Sequence, residues 1–413
     1  MPLHNPLGLT ATDAKWLSVV GIGEDGIDGL SPRARQLVQG AAIVMGGRRH
    51  LALAAELIQG QARAWPEPFD PSMQDLVALQ GSKVCVLASG DPFQFGVGAT
   101  IARVIDAEEI EVMPAPSAFS LAASRLGWAL QDIETLSLHG RPVNLVRPLL
   151  HPGRRILALT SDGSGPATIA ALLKDSGFGT SRLHVLEALG GPQERVTSWT
   201  AGESLPAFNP LNVLAIEVVA KNDARILPLG FGLADDLFEH DGQITKRAIR
   251  AATLSALAPR RGELLWDVGA GSGSIAIEWM LAHPSLRAIA VEHEPERAAR
   301  IRRNAAHFGV PGLTLVEGRA PDALADLPQP DAIFVGGGGS DAGTMDAVIA
   351  ALKPGGRLVA NSVTLEMEAV LLALHAQHGG ELTQFAVTRA SAIGSMSGWR
   401  PAMPVVQWSW VKP

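Results

Sequence analysis

From Trp16 onward, short apolar runs alternate with alanine-rich stretches. WLSVVGIG, AAIVMGG, KVCVLAS, IEVMPA, RILALTS, LHVLEAL and LNVLAIEVV predict strands, and the stretches between them predict helices. Strict alternation of the two predicts α/β layers. The rhythm breaks at KNDARILPLGFG, residues 221–232, where Pro and Gly interrupt it. A second series begins near Thr245: LLWDV, AIAVE, LTLVEG, AIFVGG and RLVANSV, then TQFAVTRA and VVQWSWV. The last two runs have no helix between them, which predicts an antiparallel hairpin at one sheet edge. The expected organisation is a tail over 1–14, one domain over 15–225 and a second over 226–413. No internal repeat or low-complexity segment is visible.

Composition narrows the function classes. A chain of 413 residues favours two domains. The net charge is −7 with no long Lys/Arg run, which argues against nucleic acid as the main partner. Any acidic substrate would need local basic groups. No apolar run reaches 18 residues and no signal peptide opens the chain, so a soluble cytoplasmic protein without a membrane partner is expected. Cys85 is the one cysteine; it sits inside VCVLAS and reads as core packing. No metal site is expected. Tyrosine is absent, so no tyrosine can act as an acid.

The densest chemical signal is LLWDVGAGSG at 264–273 followed by VEHEPE at 291–296. An apolar run ends in Asp267, breaks into a glycine turn, and leads into SIAIEWMLAH. A second run then ends in Glu292. Strand, glycine turn, helix, strand, acid is the order of a nucleoside-binding βαβ unit. The acid stands roughly 20 residues after the turn, where it can bind ribose hydroxyls. DVGAGSG resembles the first motif of the class I S-adenosylmethionine methyltransferases. FVGG at 334–337 and LKPGGRLV at 352–359 resemble two later motifs of that Rossmann-like fold. This ligand has no phosphate, consistent with a turn that lacks Lys and Arg.

The first half carries a different signature: VGIGE at 20–24, SGDPFQFGVG at 89–98 and PAPSAFSLAASRL at 114–126. In the GDP segment, glycine permits the turn, Asp91 can cap following amides and Pro92 sets φ. None of these is a nucleophile, so they suit binding by shape. In this order they resemble the tetrapyrrole (corrin/porphyrin) methylase family, a two-lobed α/β fold, over roughly Lys15–Lys221. LSLHGR at 136–141 resembles the subgroup acting on carbon 5 of precorrin-6. LFEHDGQITKRAIRAATLSAL at 237–257, with the glycine turn, resembles the subgroup that methylates carbon 15 and decarboxylates an acetate side chain. GRAPDAL at 318–324 departs from that pattern, with Arg319 where an acid is common.

The resemblance implies two S-adenosylmethionine sites per chain, a precorrin substrate and a homo-oligomer. It further implies methylation of precorrin-6B at carbons 5 and 15, with loss of the ring C acetate carboxyl, on the way to cobalamin. Another small metabolite or RNA as substrate is the alternative reading. Implied cofactor residues in the second half are Thr245, Gly269, Ala270, Gly271, Ser272, Gly273, Glu292 and Ala320. In the first half they are Gly23, Gly90, Asp91, Ser117, Ala118, Thr160 and Ala215. Thr245 can equally be an N-cap, Asp91 a turn cap and Glu292 a solvated strand end. His139, Arg141, His240 and Arg247, with Lys246, are candidates for the substrate carboxylates. Residues 239–241 can alternatively be only a polar loop. Methyl transfer needs alignment above all, worth roughly 7–11 kcal/mol, so no catalytic side chain is nominated.

Overall fold

The computed structural model describes residues 15–413; the tail expected over 1–14 lies outside them. The chain forms two compact units. One comprises residues up to Arg141 with Pro152–Ala224, the other Pro142–His151 with Arg225–Pro413. The first unit ends at Ala224, and a ten-residue segment before Pro152 belongs to the second. In that segment Pro148 and Asn144 press on Gly309. A β-carbon there would lie 2.5 Å from Pro148 Cδ and 2.6 Å from the Asn144 carbonyl.

The first unit holds two five-stranded sheets. Strands β1 (Leu17–Ile22), β2 (Ile43–Gly46), β3 (Gln61–Ala64), β4 (Val84–Ser89) and β5 (Ile110–Met113) are all parallel, in the order β3-β2-β4-β1-β5. Parallel strands covered on both faces read as continuous apolar runs, and VCVLA of β4 is buried throughout. Cys85 is fully buried there and its thiol is pushed up to about 12 by burial. The other sheet holds β6 (Ile133–Ser137), β7 (Arg155–Leu159), β8 (Arg182–Glu187), β9 (Arg195–Thr200) and β10 (Asn212–Glu217), in the order β6-β7-β10-β8-β9. Only β6 and β7 pair in parallel. The apolar-run reading omits β3, β6 and β9. All three are edge strands, open on one side and richer in polar residues.

The second unit is one seven-stranded sheet plus a two-stranded ribbon. Its strands are β11 (Leu264–Val268), β12 (Arg287–Glu292), β13 (Thr314–Glu317), β14 (Ala332–Val335), β15 (Arg357–Ser362), β16 (Glu381–Phe385) and β19 (Val405–Val411). The order is β13-β12-β11-β14-β15-β19-β16. The chain leaves β11 towards β12 on one side and returns through β14 on the other. That reversal is where open α/β sheets bind ligands, at the carboxyl ends of the strands. Trp266 and Trp408 fill the core on one face and Trp279 the other, all three essentially inaccessible. The expected terminal hairpin is corrected in form. β16 and β19 do pair antiparallel, with β16 at the edge, but β19 lies between β15 and β16. TQFAVTRA is split: β16 ends at Phe385, and β17 (Thr388–Ile393) pairs with β18 (Met396–Pro401) as a separate exposed ribbon.

Candidate active sites

In the second unit the site grows from the end of β11. Gly269, Gly271 and Gly273 all have positive φ, at 70°, 59° and 75°. At Gly269 a β-carbon would lie 2.5 Å from the Gly337 carbonyl oxygen, so the two glycine segments pack backbone to backbone. The helix Ser274–Ala282 follows. Its amide at Ala276 donates to Asp267 Oδ2 at 3.0 Å, so the strand-end acid caps it from below. Asp267 is 1% exposed, and its other oxygen has no partner. Burial, with a smaller push from Glu292, raises its carboxyl to about 7.

Glu292 ends β12 and is 3% exposed. Its Oε2 accepts the Gly271 amide at 2.8 Å, and its Oε1 accepts those of His293 and Glu294, each at 3.0 Å. The solvated-strand-end reading of Glu292 is therefore corrected: the carboxylate is buried and bonded across the glycine turn. Beside it opens a cavity of about 920 Å³. That is near the upper end of the range for small-molecule sites. Thr245, Gly269, Ala270, Gly271, Ser272, Glu292 and Ala320 all line it. Gly273 does not; a β-carbon there would meet Ile301 at 3.0 Å, so this glycine serves helix packing. Ser272 Oγ is buried without a partner at the cavity wall, a donor left for a ligand. Open space at Gly271, the unpartnered Ser272 hydroxyl and the adjacent carboxylate fit the methionine and ribose parts of S-adenosylmethionine.

Other expectations separate here. The helix Arg247–Leu257 has Lys246 at its N-cap, so Thr245 is not the capping residue. Instead the Thr245 carbonyl accepts Arg250 Nη1 at 2.5 Å. Arg250 is fully buried, bonds Glu278 at 2.5 Å, and also donates to the Leu233 carbonyl and Asp235. This network fixes the segment that walls the cavity at Gly242–Lys246. Arg247 and His240 lie outside that wall; His240 Nδ1 accepts the Gly242 amide at 3.0 Å, closing a turn. Residues 239–241 are the polar-loop alternative: Glu239 pairs with Arg303, and Asp241 with Arg297 and Arg300. The Arg297 hydrogen bond, first among these contacts, holds the Asp241 carboxyl far below its usual range. Arg319 lines the cavity and stands 3.8 Å from Asp341.

The sequence reading missed Asn361 and Ser362, which end β15, and Thr364 just past it, together with Arg389 in the ribbon and Met403 after it. The β15 group carried a signal, since carboxyl ends of parallel strands line such sites. The ribbon residues carried none, because nothing local says where an extra hairpin folds.

In the first unit, three loops leave the carboxyl ends of β4, β1 and β5, which are neighbours. The Gly90 amide donates to the Ile22 carbonyl at 3.1 Å, and the Ala115 amide to the Gly90 carbonyl at 3.2 Å. A β-carbon on Gly21 would sit 1.9 Å from the Gly90 oxygen, and one on Gly90, at φ 52°, would be 2.8 Å from the Pro116 oxygen. Gly23, Gly90, Asp91, Ser117 and Ala118 thus share the carboxyl end of the sheet. Asp91 caps the Phe93 amide at 2.9 Å, and Ser117 caps its helix at the Ser120 amide at 3.1 Å. Phe93 and Phe95 of the same loop are about half exposed. Thr160 is buried and donates to Asn212 Oδ1 at 2.8 Å; Ala215 is fully enclosed in the second sheet's core. His139 and Arg141 are exposed at the turn after β6, where Arg141 reaches the Ser137 carbonyl at 3.3 Å. Among the described residues, no cluster of His, Cys, Asp or Glu could hold a metal ion, and no helix is long and apolar enough to cross a membrane.

Comparison with known proteins agrees with this two-part layout. Residues 17–204 match the family of tetrapyrrole (corrin/porphyrin) methylases and 236–412 the precorrin methyltransferase domain. A Sinorhizobium protein named precorrin-6Y C(5,15)-methyltransferase (decarboxylating) is 65% identical over 398 residues, 96% of each chain. A Mycobacterium tuberculosis protein of the same name is 41% identical over 400 residues, 95% of this chain and 99% of its own. A Salmonella typhimurium cobalt-precorrin-6B C(15)-methyltransferase (decarboxylating) is 33% identical over 180 residues, 42% of this chain and 92% of its own. With the glycine turn, the bonded Glu292 and the GDP loop in place, a match along nearly the whole length decides the family: the chain belongs to the decarboxylating precorrin-6Y C(5,15)-methyltransferases.

Proposed function

We propose that this chain transfers methyl groups from S-adenosylmethionine to carbons 5 and 15 of precorrin-6B. It also removes the ring C acetate carboxyl as carbon dioxide, giving precorrin-8 in cobalamin biosynthesis. The observation that carries the reading is the cavity of about 920 Å³ walled by the Gly271–Glu292 cradle. It has room for a nucleoside and for part of a larger substrate. Lys246 and Arg389 on its wall supply cations for macrocycle carboxylates.

The division of labour assigns carbon 15 and decarboxylation to the second unit and carbon 5 to the first. In support, the Salmonella relative, named for carbon 15 and decarboxylation alone, matches a stretch the length of one unit. Each cleft can align one carbon with one sulfonium, so two cofactors bind per chain. Thr245, the 269–272 turn, Glu292 and Ala320 hold one. Gly23, Gly90, Asp91, Ser117 and Ala118 hold the other, with Phe93 and Phe95 offering the macrocycle an apolar face. Electrons freed by decarboxylation pass into the conjugated ring, which needs no further cofactor. The same reading makes the protein a cytoplasmic homo-oligomer with no nucleic-acid or membrane partner. Light scattering tests the assembly.

Calorimetry tests the cofactor count: two S-adenosylmethionine per chain are expected, and one or none overturns the two-site reading. Incubation with precorrin-6B and labelled cofactor, followed by mass spectrometry and carbon NMR, tests the reaction. A product without two new methyl groups and the loss of carbon dioxide overturns it.

A further inference from the structure

Beside the GDP loop of the first unit, four polar side chains meet that the reading above leaves without a role. Glu24 follows β1, Arg49 and His50 follow β2, and Ser89 ends β4, so all sit at the carboxyl ends of the neighbours β2-β4-β1. Ser89 directly precedes Gly90 of the loop. His50 Nε2 lies 2.7 Å from Ser89 Oγ and 2.9 Å from Arg49 Nη2. A guanidinium only donates, so Nε2 accepts and the ring proton sits on Nδ1. Ser89 Oγ in turn receives Arg49 Nη2 at 3.1 Å, so its own hydrogen points at Nε2 and shares that nitrogen's one lone pair with Arg49, over the shorter distance. Glu24 pairs with Arg49 and holds it in place. His50 Nδ1 is buried with no partner, whereas Ser89 is exposed.

The chemistry at carbon 5 lacks one participant. When an unsaturated ring carbon bearing hydrogen takes a methyl group, a C–C bond forms from the ring's π electrons. The C–S bond breaks and S-adenosylhomocysteine leaves. The carbon then carries both hydrogen and methyl, and the ring is cationic. Conjugation returns when the C–H electron pair falls back into the ring and the proton goes to a base. Asp91, the nearest carboxylate in sequence, is engaged by the Phe93 amide.

We propose that Ser89 and His50 are that proton acceptor: the Ser89 hydroxyl takes the proton from the methylated carbon while passing its own to His50 Nε2. The inference rests on the assignment of carbon 5 to the first unit. A proton beside a cationic conjugated ring is strongly acidic, so a weak base suffices. Burial first, then the Arg49 charge, lower His50 to about 4, which keeps the ring neutral and receptive at pH 7. The groups bearing on its titration are Arg49 on its own segment, Ser89 at the end of β4, and Glu24 through Arg49.

The full chain is assayed with labelled S-adenosylmethionine and precorrin-6B, with carbon NMR reporting the two methylations separately. His50→Gln is expected to lower kcat at carbon 5 by about 100-fold or more, the usual share of a general base, with KM for S-adenosylmethionine unchanged and carbon-15 methylation retained. Ser89→Ala should reproduce the pattern. Arg49→Leu should move the acid limb of kcat/KM at carbon 5 upward from about 4 towards the ordinary imidazole range. A folded His50→Gln with parental carbon-5 turnover overturns the proposal. So does a rise in KM alone, which would make the pair a packing element of the cofactor loop. If His50→Gln gives no cooperative melt, Ser89→Ala decides by the same criteria. A parent chain that leaves carbon 5 unmethylated overturns the underlying assignment and this role with it; a methylating parent with indifferent variants overturns the role alone.

Discussion

Glu292 reaches back across 21 positions of chain to accept the Gly271 amide at 2.8 Å. One contact thus ties the end of β12 to the glycine turn after β11. It orders the turn and presents a carboxylate at the cavity wall. Loss of a charged hydrogen-bond partner costs about 1.5–3 kcal/mol. Glu292→Ala should therefore weaken S-adenosylmethionine binding at the second unit by roughly 10- to 150-fold. Carbon-15 methylation should fall with it while carbon-5 methylation persists. Calorimetry that still finds both sites at parental affinity would remove Glu292 from the cofactor site.

Two glycines of the turn should respond differently to the same change. At Gly269 an added methyl meets the Gly337 backbone at 2.5 Å, on top of a positive φ. Left-handed strain of about 1–2 kcal/mol and overpacking of about 1–3 kcal/mol then both act, so Gly269→Ala should melt several degrees lower. At Gly271 the nearest heavy atom is the Gln243 oxygen at 3.7 Å, so the methyl stands in the cavity. Gly271→Ala should remain folded, with a smaller drop in melting temperature, and bind S-adenosylmethionine more weakly. Equal melting temperatures for the two variants would contradict this geometry.

Arg250 and Glu278 are a buried ion pair at 2.5 Å whose partners are backbone groups of the 232–245 segment. Removing one member strands the other, at a cost of about 3–5 kcal/mol. Arg250→Met should lower stability by that order in denaturant titration. It should also loosen the Thr245 segment, raising KM for S-adenosylmethionine at the carbon-15 site. The double variant Arg250→Met/Glu278→Leu should recover part of the stability, because the one carboxylate left without its arginine, Asp235, is partly exposed rather than buried.

Asp267 carries a pH signature. Its folded pKa, about 7, lies above the unfolded value, so the folded state holds the extra proton between about pH 4 and 7. Its contribution to stability is therefore fully present below pH 4 and is lost as pH rises through 7. Asp267→Asn keeps an acceptor for the Ala276 amide but cannot ionise. In the absence of cofactor, the melting temperature of the variant relative to the parent should climb from pH 4 to pH 7 and then level off. A constant difference across that range would mean Asp267 ionises normally despite its burial.

The sequence alone determined what is local. A buried parallel strand needs a continuous apolar run, so β4, β11 and β14 announce themselves. A chain leaving such a strand into a helix needs glycine at the turn, so residues 269–273 and the acid at 292 were legible together. The helix opening at Ala118 was legible from the Pro-Ser segment for a different reason: a serine before an apolar run caps a helix, as Ser117 does. What depends on partners far along the chain was not. The edge strands β3, β6 and β9 lack the apolar run because one side of each is open, and only pairing makes them strands. β19 inserts between β15 and β16 through contacts that no local pattern encodes. His240 and Arg247 neighbour Thr245 in sequence yet miss the cavity wall, while Arg389, more than a hundred positions away, lines it. Periodicity states that a residue lies on a helix or strand. Which face meets a ligand is decided by the packing of the whole unit, because burial and hydrogen bonding are satisfied only once distant strands have come together.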